Sequence, residues 1–252
     1  MAFKRIIFSL LYHQGSFVQS RNFKKQKVGN WAWLMDKYKL LEALKSLDEL
    51  VILNIDQSDK GFEEVLLISK ELAQLVNLPI TLGGGIKNLD MANRAFQSGA
   101  DKLILNSLFF RSPNEFNTIV EKYGSQAVVL NLDYKVINGE RFVFSEGGSY
   151  REGRLINVLN VVSNFSFGEL LLRNIDKDGT GFGNDIEVFD VVKSIDKPIL
   201  IAGGTGKAEH VIESLSTEIV DGIVTANILN FIGSGLIRLR RDVMEHIHLA
   251  KW

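Results

Sequence analysis

One unit occurs twice in this chain, half its length apart: a short apolar run that ends in glycines and passes straight into a helical pattern. The first copy reads Leu78-Pro79-Ile80-Thr81-Leu82-Gly83-Gly84-Gly85-Ile86-Lys87. The second reads Lys197-Pro198-Ile199-Leu200-Ile201-Ala202-Gly203-Gly204-Thr205-Gly206-Lys207, and the two prolines stand 119 positions apart. A wholly apolar run of this length is a strand buried on both faces, and the glycines let the backbone approach a ligand where the strand ends. Three further echoes keep nearly the same offset. Glu49 and the triplet Asn54-Ile55-Asp56 return as Glu169 and Asn174-Ile175-Asp176, 120 positions on. Residues 101–106 return at 221–227 with one residue added, and residues 4–11 lie opposite 126–133, an offset of 122. Four strands matching four strands in order predict one domain over 1–252, built from two fused halves of about 1–123 and 124–252.

The rest of the pattern fits that plan. Apolar strand-like runs are expected near 5–11, 49–55, 79–83, 102–106, 126–132, 169–175, 198–202 and 221–226. Amphipathic segments alternate with them near 33–46, 62–76, 89–98, 113–122, 154–165, 186–194, 207–216 and 230–247. Strand–helix alternation implies a parallel sheet, and eight such units in 252 residues predict an α/β fold of the closed (β/α)8 TIM-barrel type. An open dinucleotide-binding sheet would need a glycine-rich turn after its first strand, and Leu10-Leu11-Tyr12-His13-Gln14-Gly15 is not one. The longest strand-to-helix connection is the first, from Tyr12 to about Asn30. It carries Arg21, Lys24, Lys25 and Lys27 beside Phe17 and Phe23 and is expected to be a lid or binding loop.

Composition excludes several functions. The chain has no cysteine, which removes disulfides, thiolate metal sites and a cysteine nucleophile and makes a reducing cytoplasm the simplest location. A net charge of −1 gives no reason to expect nucleic acid or an anionic membrane as a partner. Lys4-Arg5 before the apolar run 6–12 faintly suggests a signal peptide, but the run is short and no small-residue cleavage site follows, so a buried first strand is expected. His246 and His248 are two apart on an expected helix and point to different faces, so neither a metal nor a cofactor is indicated.

In a barrel of this kind the chemistry sits where the strands end. Both glycine runs lie there, before helices whose first N–H groups are free, a geometry that suits phosphate. Gly84, Gly85 and Asn106 in the first half, with Gly203, Gly204, Ala226 and Asn227 in the second, predict two phosphate sites on opposite sides of the mouth. A nucleotide P-loop does not fit the second run, because Ile201 stands at the first glycine position and Ala208 at the hydroxyl position. The strand-end carboxylates are Asp133, Asp176, Asp178 and Asp56, each a candidate general acid or base once burial raises its pKa. Where the repeat would supply a partner for Asp133, the first half has Leu11, which cannot exchange a proton.

Taken together, the segments 4–7, 48–51, 83–86, 99–102, 124–129, 176–180 and 202–207 resemble the HisF family, the cyclase subunit of imidazole glycerol phosphate synthase, over essentially the whole chain. The resemblance implies a half-barrel-duplicated (β/α)8 fold that binds a substrate with two phosphates. It also implies a HisH-like glutaminase subunit docked on the N-terminal face, with ammonia passing through the barrel. The family's gate residues match Arg5, Glu49, Lys102 and Glu169.

The departures are at the mouth. Of the family's two catalytic aspartates one matches Asp133 and the other falls on Leu11. A second-strand aspartate falls on Asn54, a first-loop lysine on Gln19, a strand-six threonine on Arg173, and a phosphate-contacting serine at about Gly147. These changes resemble the WbuZ-type HisF-like proteins of surface-polysaccharide gene sets, which implies ammonia delivery to a sugar amidotransferase. The enzyme alternative is the authentic cyclase, using Asp133 with Asp178 or Asp56 as substitute.

Overall fold

A computed structural model describes residues 3–56, 58–226 and 235–249. Twelve strands form one sheet: β1 (Arg5–His13), β2 (Ser16–Arg21), β3 (Lys24–Gly29), β4 (Glu49–Asn54), β5 (Ile80–Gly83), β6 (Lys102–Leu105), β7 (Val128–Ile137), β8 (Glu140–Ser145), β9 (Tyr150–Arg154), β10 (Glu169–Asn174), β11 (Ile199–Ala202) and β12 (Val220–Thr225). Eight of them pair in parallel in the order β1-β4-β5-β6-β7-β10-β11-β12, and β12 pairs with β1 to close the ring. This is a (β/α)8 barrel, with helices between the strands.

Side-chain alternation along each strand builds two cores. On β4, Leu50 and Ile52 face outward to the helices, while Val51 and Leu53 face inward with Ile7, Leu11, Ile104, Val129, Leu171 and Leu200. The helix Asp59–Leu75 shows why the outer layer forms where it does. Ser58 accepts the Gly61 N–H as its N-cap, and Phe62, Val65, Ile68 and Leu72 fall on one face at helical spacing and are buried against the barrel.

The expected helix at 33–46 is two short ones, Trp31–Asp36 and Leu40–Leu44, because Lys39 between them is left-handed at φ +57°. The last helix runs Gly235–Met244, and the start expected for it, near 230, lies outside the described residues. A second departure is larger. The connection after the first strand, expected as a lid or binding loop, is a hairpin, β2–β3, paired antiparallel to β1, and β7 runs on past the barrel into a second hairpin, β8–β9. Each tight turn between antiparallel partners places two successive residues at positive φ: Gln14-Gly15, Asn22-Phe23 and Asn138-Gly139. That is the turn whose twist matches the flanking strands.

A buried polar cluster ties the second hairpin to the barrel. Arg141 of β8 binds Asp185 through two hydrogen bonds of 2.9 Å, and Tyr134 and Asn174 donate to the same carboxylate. Burial alone would raise the Asp185 carboxyl, but the Arg141 hydrogen bonds and charge, with Tyr134 and Lys177, outweigh it and hold the group below the usual carboxylate range. A depressed native pKa stabilises the fold above the unfolded value of about 3.9, and that contribution is lost as pH falls through the native value. Asp185→Asn is therefore expected to lower stability by about 2–3 kcal/mol at pH 7 and to flatten the fall of stability below about pH 4. Urea unfolding at pH 7 and pH 3.5 tests this; parallel curves for the two proteins would refute it.

Candidate functional site

The strand starts form a closed floor. Arg5, Glu49, Lys102 and Glu169 are each the first residue of a barrel strand, and they alternate in charge around a ring. Arg5 lies 3.1 Å from Glu49 and 2.8 Å from Glu169; Lys102 lies 2.8 Å from Glu49 and 3.2 Å from Glu169. Thr81 donates to the remaining Glu49 oxygen at 2.6 Å. The four residues expected together from the sequence are thus brought together, each cation touching both carboxylates. Above the ring the interior is mainly apolar, with the polar Ser9 and Asn131 also buried there.

The strand ends line two cavities. The larger, of about 730 Å³, holds Gly84, Gly85, Asn106 and Asp133 in its wall; the smaller, of about 40 Å³, holds Asp178, Gly203, Gly204 and Ala226. Leu11, Ser20 and Arg173 line both. The two expected phosphate sets therefore fall on separate cavities, and Asn227 lies outside the described residues.

The glycines have a packing reason of their own. A Cβ on Gly84 would stand 2.1 Å from the Asn54 carbonyl oxygen, one on Gly203 2.5 Å from that of Asn174, and one on Gly204 2.1 Å from that of Gly183. The helices beside the two glycine runs differ at their first turns. In the first half the helix Leu89–Gln97 starts beyond the glycines, and its Leu89 and Met91 N–H groups are taken by Glu115 and Asn88. In the second, the helix Ala208–Leu215 has no side-chain cap at Lys207, and the Gly206 N–H ahead of it donates to His210 Nδ1 at 3.2 Å.

Asp133 is the buried acid of the mouth. Asn131 donates to one oxygen at 3.0 Å and Asn106 to the other at 3.1 Å, leaving the amide oxygens of both asparagines buried without a partner. Burial pushes its carboxyl above the usual range; the Arg173 guanidinium and Asn131 amide pull it back only in part, and the Asp178 charge raises it further. Such a group can hold or release a proton at a ligand.

Asp178, the other candidate acid, sits in the smaller cavity and is engaged elsewhere. It accepts from Ser20 Oγ at 2.6 Å and the Phe23 N–H at 3.3 Å, and its carbonyl accepts from Asn22 at 2.8 Å. It clasps the tip of the β2–β3 hairpin across the mouth, where Phe23 packs with Phe142, Phe144 and Ile175. Asp56 is likewise engaged by the Gln14 and Ser58 N–H groups and the Ser58 hydroxyl. Asp176 accepts the Val136 N–H. Leu11 is 6% exposed and belongs to the apolar interior. Asn54 and Gly147 also line the larger cavity, whereas Gln19 lines neither. Ser20 and Asn131 were missed by the sequence reading; the alternation of Asn131 with Asp133 on one strand face was the available signal. Among the described residues no cluster of three His, Asp or Glu could hold a metal, and no helix is long and apolar enough to cross a membrane.

Comparison with known proteins adds the following. The family model described as "Histidine biosynthesis protein" matches residues 5–233. A protein of Parasynechococcus marenigrum, provisionally named imidazole glycerol phosphate synthase subunit hisF2, is 36% identical over 259 aligned residues, covering 100% of this chain and 95% of the relative. Proteins named imidazole glycerol phosphate synthase subunit HisF from Saccharolobus solfataricus and Thermotoga sp. are 34% and 32% identical, covering 95% and 98% of this chain and 94% and 96% of their own lengths.

Proposed function

The chain belongs to the histidine biosynthesis protein family and is HisF-like along its length, and from that premise we propose that it is the ammonia-conducting barrel of a glutamine amidotransferase complex in which the cyclase pair has been lost. One observation carries the reading: the mouth keeps a single buried acid, Asp133, beside an apolar Leu11, while the floor keeps its whole ring of Arg5, Glu49, Lys102 and Glu169. A proton-transfer site with one of two carboxylates replaced by an alkyl group loses its chemistry. A conduit for a small neutral molecule needs only the floor and an apolar interior.

In this reading a HisH-like glutaminase releases ammonia beneath the ring. The ammonia passes upward and reaches a sugar amidotransferase that modifies a surface polysaccharide in the cytoplasm. The mouth binds a phosphorylated small molecule through Gly84, Gly85 and Asn106 on one side and Gly203, Gly204, Ala226 and Asn227 on the other. We read the barrel as two related halves, 1–123 and 124–252; the matching approach of Gly84 to Asn54 and Gly203 to Asn174 supports this.

A second reading is favoured by the printed names of the relatives: the authentic cyclase of imidazole glycerol phosphate synthase. It would need Asp178 or Asp56 as the second acid, and both are held in hairpin or turn contacts.

The test is glutamine hydrolysis by a purified HisH-like glutaminase with and without this chain. Stimulation of about tenfold or more is expected, equivalent to about 1.4 kcal/mol of barrier lowering on assembly. Unchanged hydrolysis on mixing would sink the conduit reading.

A further inference from the structure

Arg173 is a largely enclosed cation without a hydrogen-bond partner among the described residues. Its side chain is 12% exposed. Among the described residues its one charged neighbour within 4 Å is Asp133, and that contact, Nε to Oδ1 at 3.9 Å, is too long for a hydrogen bond. The geometry of Asp133 explains the gap. Both of its oxygens already accept amide hydrogens, from Asn131 and Asn106, so the carboxylate is satisfied without the guanidinium. All the N–H donors of Arg173 are left over, on the wall shared by the two cavities.

A guanidinium in that position is costly unless something accepts from it. Two other polar atoms in the wall are open to a ligand. The Asn106 and Asn131 amide oxygens are buried and unpartnered, and Lys25 and Lys87 add positive charge around the larger cavity, where Arg111 is already paired with Glu146 and Glu152. We propose that Arg173 anchors an oxyanion site at the centre of the mouth, holding the carboxylate or phosphate of a small acidic metabolite through paired N–H donors, with the amide oxygens of Asn106 and Asn131 taking hydrogens from the same molecule. The planar fork of arginine suits such a group where a lysine would not. The proposal rests on the reading that the mouth receives a ligand and is independent of glutaminase coupling.

The test uses the isolated full-length chain. Binding of malonate and of inorganic phosphate is measured by titration calorimetry for the native protein, Arg173→Lys and Arg173→Thr, with thermal unfolding of each in parallel. At least one probe is expected to bind the native chain, and Arg173→Thr to weaken that probe by about tenfold or more, with Arg173→Lys recovering only part of it. Tighter malonate binding assigns the site to a carboxylate, and tighter phosphate binding to a phosphate.

Unfolding separates this from a structural role. Removing a guanidinium that has no hydrogen-bond partner in the protein, and whose ionic contact is the long one to Asp133, is expected to leave the melting temperature of Arg173→Thr nearly unchanged. Absence of binding by either probe, equal affinity in native and Arg173→Thr proteins, or a variant that melts lower or fails to fold would each overturn the proposal. Because glutamine hydrolysis is not measured, failure here leaves the conduit reading standing, and failure of the conduit leaves this one standing.

Discussion

Replacing Glu49 with alanine is expected to lower the free energy of unfolding by about 3–5 kcal/mol, the largest loss of any single substitution in the floor. Glu49 is the most enclosed member of the ring: its side chain is 3% exposed, against 17% for Arg5, 18% for Lys102 and 12% for Glu169. It accepts from Arg5, Lys102 and Thr81 at once. Alanine would strand two half-buried cations on Glu169 alone and leave the Thr81 hydroxyl without its acceptor. Desolvating the charges costs most of what their attraction returns, so the penalty lies in breaking the set rather than in what the intact set contributes. Glu49→Gln keeps the shape and some hydrogen bonding, and about half the loss is expected. Urea denaturation monitored by tryptophan fluorescence and far-ultraviolet circular dichroism measures both. A loss under about 1 kcal/mol for Glu49→Ala would mean that water reaches the ring and that it behaves as a surface ion pair.

Most of the barrel was legible because its strands obey one rule. Runs such as 49–54 and 199–202 are buried on both faces, so an apolar stretch bounded by turns identifies them and their spacing identifies the fold. The four floor charges were legible for the complementary reason: a charge at the start of such a run must find a partner, and their resemblance to a known set named which.

The two hairpins were not read. β3 is Lys24–Gly29, mostly exposed, and β9 is Tyr150–Arg154, with Arg151 and Arg154 exposed; strands that turn one face to water carry little apolar signal. One cue was present. Asn138-Gly139 between Ile137 and Glu140 is a strong two-residue hairpin signal, and the periodicity of the barrel masked it. Asn22-Phe23 could not have been found that way. An aromatic residue at φ +62° is disfavoured locally; Phe23 is held there by its N–H bond to Asp178, 155 positions on, while the neighbouring Asn22 amide donates to the Ile175 carbonyl, 153 positions from it. The engagement of Asp178 follows from the same clasp, so a residue that reads as a strand-end acid serves to fasten a hairpin.

Supplied with ammonium salt and the substrate of the family's cyclase, the chain is expected to turn over at least about a hundredfold more slowly than a HisF relative, the lower end of what one positioned acid or base contributes. The argument is local to position 11. Leu11 pairs across the barrel wall with Leu53 and packs in the interior with Ile7, Val51, Ile104 and Val224. On the proposed reading the site has exchanged a proton-handling group for one that joins the apolar lining. Leu11→Asp places a carboxyl back at that position, among apolar neighbours and on the cavity walls it shares with Arg173. Burial would raise its pKa and cost about 1–3 kcal/mol of stability, and Arg173 stands where the proposed reading places a threonine in the family. The variant is accordingly expected to recover less than about tenfold of the deficit, whereas the pair Leu11→Asp with Arg173→Thr recovers more, because the second change frees Asp133 from the neighbouring cation. Steady-state product formation at saturating ammonium measures all three. Native turnover within tenfold of the relative would remove the ground for the conduit reading, since it would mean that Asp133 works with an acid other than one at position 11. A slow native protein with a fast double variant would place the functional divergence in two residues at the rim, on a scaffold that still carries its charged floor.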